Sequence, residues 1–282
     1  MSKNFSLLHL IWYVLLASLL LSLSSIIGNF FHEQNLLSWN MTVLVQGVVF
    51  SLATLITLFI ISRKNKDILK SLSLTQFKFT KYTLVAILTP FVLVVLGLLS
   101  AYQLGLIRDI QFNLSSGVIS AILLNIVTAF LYEAFPEEVF IRGLVLNELS
   151  KKFRFIVTIF LQPILFVCIA TFSTTVTSFV LNKSLDINIS YVILIFTFGI
   201  ALQLYKYCSG SLWVNILFHL VYLGVTRYIA SNGTNPKYPN LISFKEEIPG
   251  IMVIYLSFGW VIIGSILILS ILALVKRKRS KI

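Results

Sequence analysis

Charge is scarce in this chain. Only 11% of its 282 residues are Asp, Glu, Lys or Arg, and the acidic residues number 10 against 22 basic ones. An ordinary soluble domain is about one-quarter charged, so a water-facing surface over most of the chain is excluded. Cysteine is nearly absent: Cys168 and Cys208 are too few for a disulfide framework and lack metal-ligand spacing. Both are expected to be small buried hydrophobes within apolar runs. Three histidines, His9, His32 and His219, leave little nitrogen for a metal centre. The sequence has no H-E-x-x-H, no Gly-rich phosphate loop and no G-x-S-x-G. It also has no internal repeat, no low-complexity linker and no polar stretch long enough for a separate soluble domain.

What the chain does have is apolar sequence, 58% of it, gathered into long runs. Runs of 18 or more residues without charge read as transmembrane helices. The expected fold is all-α, a polytopic transmembrane helical bundle of about eight spans with both termini cytoplasmic. The spans are expected near 8–31, 42–62, 82–101, 117–141, 155–173, 189–205, 211–229 and 251–275. The first run is longer than a signal-peptide core and ends in no small-residue cleavage site, so it reads as an uncleaved span. With eight crossings and an inside N-terminus, 17 of the 22 basic residues fall on the cytoplasmic side, as the positive-inside rule requires. They include Lys3, the basic residues of segment 63–81, Lys151, Lys152 and Arg154, and the tail residues Lys276, Arg277, Lys278, Arg279 and Lys281.

Topology and contact with anionic membrane lipid account for these basic segments, and nucleic acid is not an expected partner. A Lys/Ile/Asn/Phe-rich composition and a basic tail fit a bacterial plasma membrane. Three parts are expected: helices 1–3 over 1–116, a core of helices 4–7 over 117–229, and 230–282 with an external loop, the last helix and the tail. The loop near 230–250 carries turn chemistry in Asn232-Gly233, Pro236, Pro239 and Pro249, and is expected to cap the outer face.

Ionisable groups inside a bilayer are costly and usually functional. The fourth run holds Glu133, Glu137, Glu138 and Arg142 within ten residues. Helical spacing stacks Glu133 over Glu137 and lets Glu138 pair with Arg142. Arg142 then favours the charged form of Glu138, whereas Glu137 has no cation of its own and is the group free to act as a base. Pro136 removes a helical hydrogen bond and is expected to free the carbonyl of Tyr132. A freed carbonyl at membrane depth needs a partner, so this face is expected to meet a polar cavity. In the seventh run, His219 lies at a compatible depth, with Asn215 one turn before it. Tyr132 and Tyr222 read as packing or belt residues, and His9 and His32 as interfacial ones.

At these residues the chain resembles the CAAX protease and bacteriocin-processing (CPBP, or Abi) family. The family's members are multi-span proteins with motifs EExxxR, FxxxH and HxxxN on separate helices. The first motif is complete as Glu137-Glu138-Val139-Phe140-Ile141-Arg142, followed by Gly143. The second has Phe166, but the histidine position holds Ala170. The third lies in Gly210-Ser211-Leu212-Trp213-Val214-Asn215-Ile216-Leu217-Phe218-His219, with Leu223 at its last polar position.

The resemblance implies an intramembrane endopeptidase of CAAX type, or a bacterial relative in bacteriocin self-immunity or envelope regulation. Its expected catalytic groups are Glu137, Glu138 and His219, with Arg142 in support. The expected partners are membrane lipid and a membrane-embedded peptide or protein. No cofactor is assigned; a divalent metal, once proposed for the family, would find His219 as its sole nitrogen ligand. With Ala170 and Leu223 in place of two polar groups, reduced or absent proteolysis is the favoured expectation, an active glutamate-dependent peptidase the alternative, and a small transporter a third reading.

Overall fold

A computed structural model describes residues 5–75, 77–185, 187–232 and 237–279, with Lys278 and Arg279 described by their backbone alone. Lys3, Gly233, Pro236 and Lys281 lie outside the described residues. Among the described residues, eight helices are long and apolar enough to cross a membrane. They are α1 (Leu7–Glu33), α2 (Trp39–Lys64), α3 (Lys81–Gln103), α4 (Ser116–Leu149), α5 (Phe155–Val180), α6 (Ile189–Ser209), α7 (Leu212–Ala230) and α8 (Val253–Arg277). The chain is a multi-pass helical membrane protein, as its hydropathy implied.

The helices are apolar outside and small or polar within. Trp12, Leu19, Phe59, Val92, Leu123, Phe160 and Ile271 are all exposed, which suits a surface solvated by lipid tails and not by water. Facing inward, α1 buries Ala17, Ser18, Ser22, Ser25 and Gly28, and α2 buries Thr42, Gln46, Gly47, Ser51 and Thr54. Lipid tails are as apolar as leucine, so close packing and hydrogen bonds, not hydrophobic burial, hold such helices together. Several of these hydroxyls cost little inside because they bond within their own helix. Ser18 donates to the Val14 carbonyl at 2.8 Å and Thr54 to the Phe50 carbonyl at 2.8 Å.

The connecting segments gather at two ends. At one, Phe5 packs edge-on against Phe153 at 6.0 Å, the Ser6 amide donates to Glu148 at 2.7 Å, and Lys276 donates to the carbonyls of Tyr207 and Cys208. At the other, Lys183 pairs with Glu33, and Lys237 lies over the Trp39 ring at 3.4 Å. This second end also carries two short strands, β1 (Ile107–Phe112) and β2 (Ile242–Glu246), paired antiparallel. The segments alternate between the two ends as eight crossings demand.

The structure corrects several expectations. Helix α4 continues past residue 141 to Leu149, because Gly143-Leu144-Val145-Leu146 is buried and no proline intervenes. Helix α5 continues past residue 173 to Val180. Its Ser/Thr-rich end looks like a loop in sequence, but Thr171, Thr174 and Thr175 donate back to the carbonyls of Val167, Ala170 and Thr171, so the helix absorbs them. Cys208 is buried as expected, but Cys168 is exposed on the outer face of α5, where a small apolar thiol is equally at home against lipid. The β1–β2 pair joins segments more than a hundred residues apart, and β1, Ile-Arg-Asp-Ile-Gln-Phe, carries no period-two pattern of its own.

The approach of α2 to α4 positions the polar turn of α4. A Cβ on Gly47 would stand 2.8 Å from the Leu131 Cβ and 3.1 Å from the Tyr132 backbone nitrogen. Gly47→Leu is therefore expected to destabilise the protein by about 1–3 kcal/mol through overpacking. Gly224, with nothing within 4 Å of an added Cβ, should accept Ala without loss. Thermal unfolding of both variants in detergent checks the contrast.

Candidate active site

The local shape of α4 begins with Pro136. The helix is α-helical over Ser116–Ala129, then widens into π-helical turns over Phe130–Ala134 and Glu138–Val145. In the wide turn the Phe135 amide donates to the Phe130 carbonyl, five residues back. By the same count, the carbonyl that Pro136 leaves free is that of Leu131, not of Tyr132 as α-helical spacing predicted. That carbonyl has a partner: the Ser51 hydroxyl on α2 donates to it. Such wide turns recur at functional sites because they re-aim side chains within a continuous helix.

Beyond the proline, Glu138 is fully buried and Arg142 is 1% exposed. Arg142 Nη1 donates to Glu138 Oε1 at 3.0 Å, the pair expected from the spacing. Two groups from α7 reach the same carboxylate. His219 Nδ1 lies 3.2 Å from Oε1, and Asn215 Nδ2 donates to Oε2 at 3.3 Å. Asn215 also donates to the Leu202 carbonyl on α6 at 2.7 Å. The Phe166 ring faces the Arg142 guanidinium at 4.6 Å, and Phe198 meets the His219 ring edge-on at 4.8 Å. With Nδ1–H donated to Glu138, Nε2 is left as the acceptor of the imidazole. Two helices thus meet at one carboxylate, and α5 and α6 hold its partners.

Glu137 has a different environment. Among the described residues it makes no hydrogen bond or ion pair, and it lines a cavity of about 340 Å³. His219, Tyr132, Tyr191, Tyr222, Ser173 and Thr174 share that lining. So do Ala170 and Leu223: where the motifs would place a second imidazole and a second polar group, the wall carries a methyl and an isobutyl group. Glu133, one turn before Glu137, is held by Arg227 of α7, whose other arm donates to Asn125 at 2.9 Å. The two stacked carboxylates therefore differ, one paired and one free. The cluster also lies well inside α4, with seven helical residues after Arg142, and not near the end of the span as expected.

Sequence reasoning missed several lining groups. Tyr132 and Tyr222, read as packing residues, face the cavity, and the Tyr132 hydroxyl bonds Ser25 of α1 at 2.8 Å. A signal existed in α1, where Ser18, Ser22, Ser25 and Asn29 recur at helical spacing. Tyr191 carried no comparable signal.

The donors do not suit a metal. Among the described residues no group of three or more His, Cys, Asp and Glu is placed to hold one, and the one imidazole here is committed at Nδ1 to Glu138. The arrangement offers a free carboxylate able to take a proton from water, beside an imidazole oriented by a buried carboxylate.

Residues 119–224 match the family model described as type II CAAX prenyl endopeptidase, Rce1-like. This is a CPBP-family model, and the matched stretch holds all three motif helices. Over these residues the chain is similar to Rce1-like endopeptidases, the likeness that the motifs carried. No curated protein matches the chain.

The buried pair can be tested directly. Arg142→Met leaves the Glu138 carboxylate without its cation and is expected to cost about 3–5 kcal/mol of stability. The double variant Glu138→Leu/Arg142→Met, which removes both charges, should be more stable than Arg142→Met alone. Denaturant unfolding of the three proteins in detergent decides it.

Proposed function

We propose that the protein holds a segment of a membrane-embedded peptide or protein in the cavity before Glu137, with reduced or no hydrolysis of it. In this reading it acts in bacteriocin self-immunity or envelope regulation in a bacterial plasma membrane, with both termini in the cytoplasm. One observation carries the reading: Ala170 and Leu223 share the cavity wall with Glu137 and His219. Peptide hydrolysis needs a base for water and donors for the developing oxyanion and the leaving amine. The base is present, but two of the polar groups that would serve the other roles are replaced by hydrocarbon. A cavity of about 340 Å³ lies at the small end of ligand pockets, enough for a few side chains of a bound segment.

The second reading, a glutamate-dependent endopeptidase, is favoured by the free carboxylate of Glu137 and the hydroxyl-rich wall of Ser173 and Thr174. Purified wild type, Glu137→Gln and Ala170→His are to be compared on prenylated CAAX peptides and on transmembrane peptides. The proposal expects wild type to leave these substrates intact or to cleave them only slowly, with Ala170→His the variant that gains cleavage. In cells, protection against a membrane-active peptide should survive Glu137→Gln and be lost in Ala170→Phe, which fills the cavity. Efficient cleavage by wild type that Glu137→Gln abolishes and Ala170→His does not raise would overturn the proposal in favour of the endopeptidase.

A further inference from the structure

Further along α4 lies a second cavity, of about 350 Å³, that the motif residues before Arg142 do not reach. Arg142 and Lys206 contribute its cationic groups, and Asn147 and Gln203 its amides, the Gln203 Nε2 donating to Thr158 at 3.0 Å. Arg142 uses Nη1 on Glu138, but its Nε and Nη2 are buried with no hydrogen-bond partner. Lys206 has no carboxylate within ion-pair distance among the described residues; its ammonium reaches the Leu72 carbonyl at 3.4 Å. Of the carboxylates at this end, Glu138 is committed to Arg142 and His219, Glu148 to Lys151 and the Ser6 amide, and Asp67 does not line the cavity. Arg142 and Lys206 against Glu138 leave one positive charge in excess beside the cavity.

Depth and lining say what kind of anion fits. Lys206 stands three residues before the end of α6 at Ser209, about 5 Å along the axis, near the level at which lipid phosphates meet the hydrocarbon. Leu146 and Phe155 give the same cavity an apolar side. A guanidinium edge with two free N–H groups, an ammonium and a carboxamide can address several oxygens on one centre from different directions. A phosphoryl group presents such oxygens and, as a diester, carries the single negative charge the site lacks. We propose that this cavity binds a phosphoryl anion, held by Lys206, Asn147 and the free edge of Arg142. A phospholipid headgroup and a soluble phosphate share this chemistry. The site is independent of whether the first cavity hydrolyses peptides.

The test uses the full chain, purified in neutral detergent and followed by thermal unfolding through tryptophan fluorescence. One arm adds phosphatidylglycerol or, as control, phosphatidylcholine; the other adds inorganic phosphate or acetate at matched ionic strength. Phosphatidylglycerol is expected to raise the Tm of wild type, of Lys206→Arg and of Lys152→Met, a cation at the same end outside the cavity. In Lys206→Met the titration midpoint should move about tenfold, as loss of one charge-assisted hydrogen bond implies. A Lys206-dependent rise with inorganic phosphate but not acetate assigns the site to soluble phosphates, and a rise with phosphatidylglycerol alone assigns it to headgroups. An equal response in Lys206→Met, an equal effect of acetate, or no response of wild type to either phosphoryl probe overturns the proposal. If Lys206→Met fails to fold, Asn147→Leu takes its place: a weakened response supports the site, and an unchanged one overturns it.

Discussion

The structure is organised around the charge of one side chain. Glu138 is buried where a carboxylate alone is far too costly, so each neighbour must supply something to it. Arg142 supplies the cation, His219 and Asn215 reach it from α7, and Asn215 is itself anchored to the α6 backbone. Phe166 of α5 closes over the guanidinium. None of these helices can rotate freely without stranding a polar group in hydrocarbon. In a bundle where lipid competes on equal terms for apolar contact, this network gives the packing its specificity.

The same constraint separates structure from chemistry on neighbouring residues. Glu138 is consumed by the network and Glu133 by Arg227, which leaves Glu137 between them as the carboxylate with room around it. His219 belongs to both sets, since Nδ1 serves Glu138 while the ring lines the cavity.

Much of this was legible in the sequence, for physical reasons. Spans are visible because hydrocarbon tolerates no exposed backbone and almost no charge, so each crossing writes a long apolar run. Glu138–Arg142 was legible because four-residue spacing on a helix leaves few other partners. Arg227 was not legible as the partner of Glu133, since pairing across helices depends on how α4 and α7 cross, which no local pattern records. The β1–β2 pair and the lining role of Tyr191 failed for the same reason. The end of α5 failed for another: a run of Thr and Ser looks like a loop until back-bonding to the helix carbonyls is counted.

The wide turn at Phe130–Ala134 has a consequence for α4 as a whole. A π turn holds one more residue than the α turn it replaces, so it offsets the two halves of the helix by about 100° in phase. Before it, Asn125 faces Arg227; after it, Glu138 faces His219. An α4 wound uniformly could satisfy one of these meetings with α7 but not both. The extra residue acts as a vernier between two periodicities, and it lets one helix keep two separate appointments with the same neighbour.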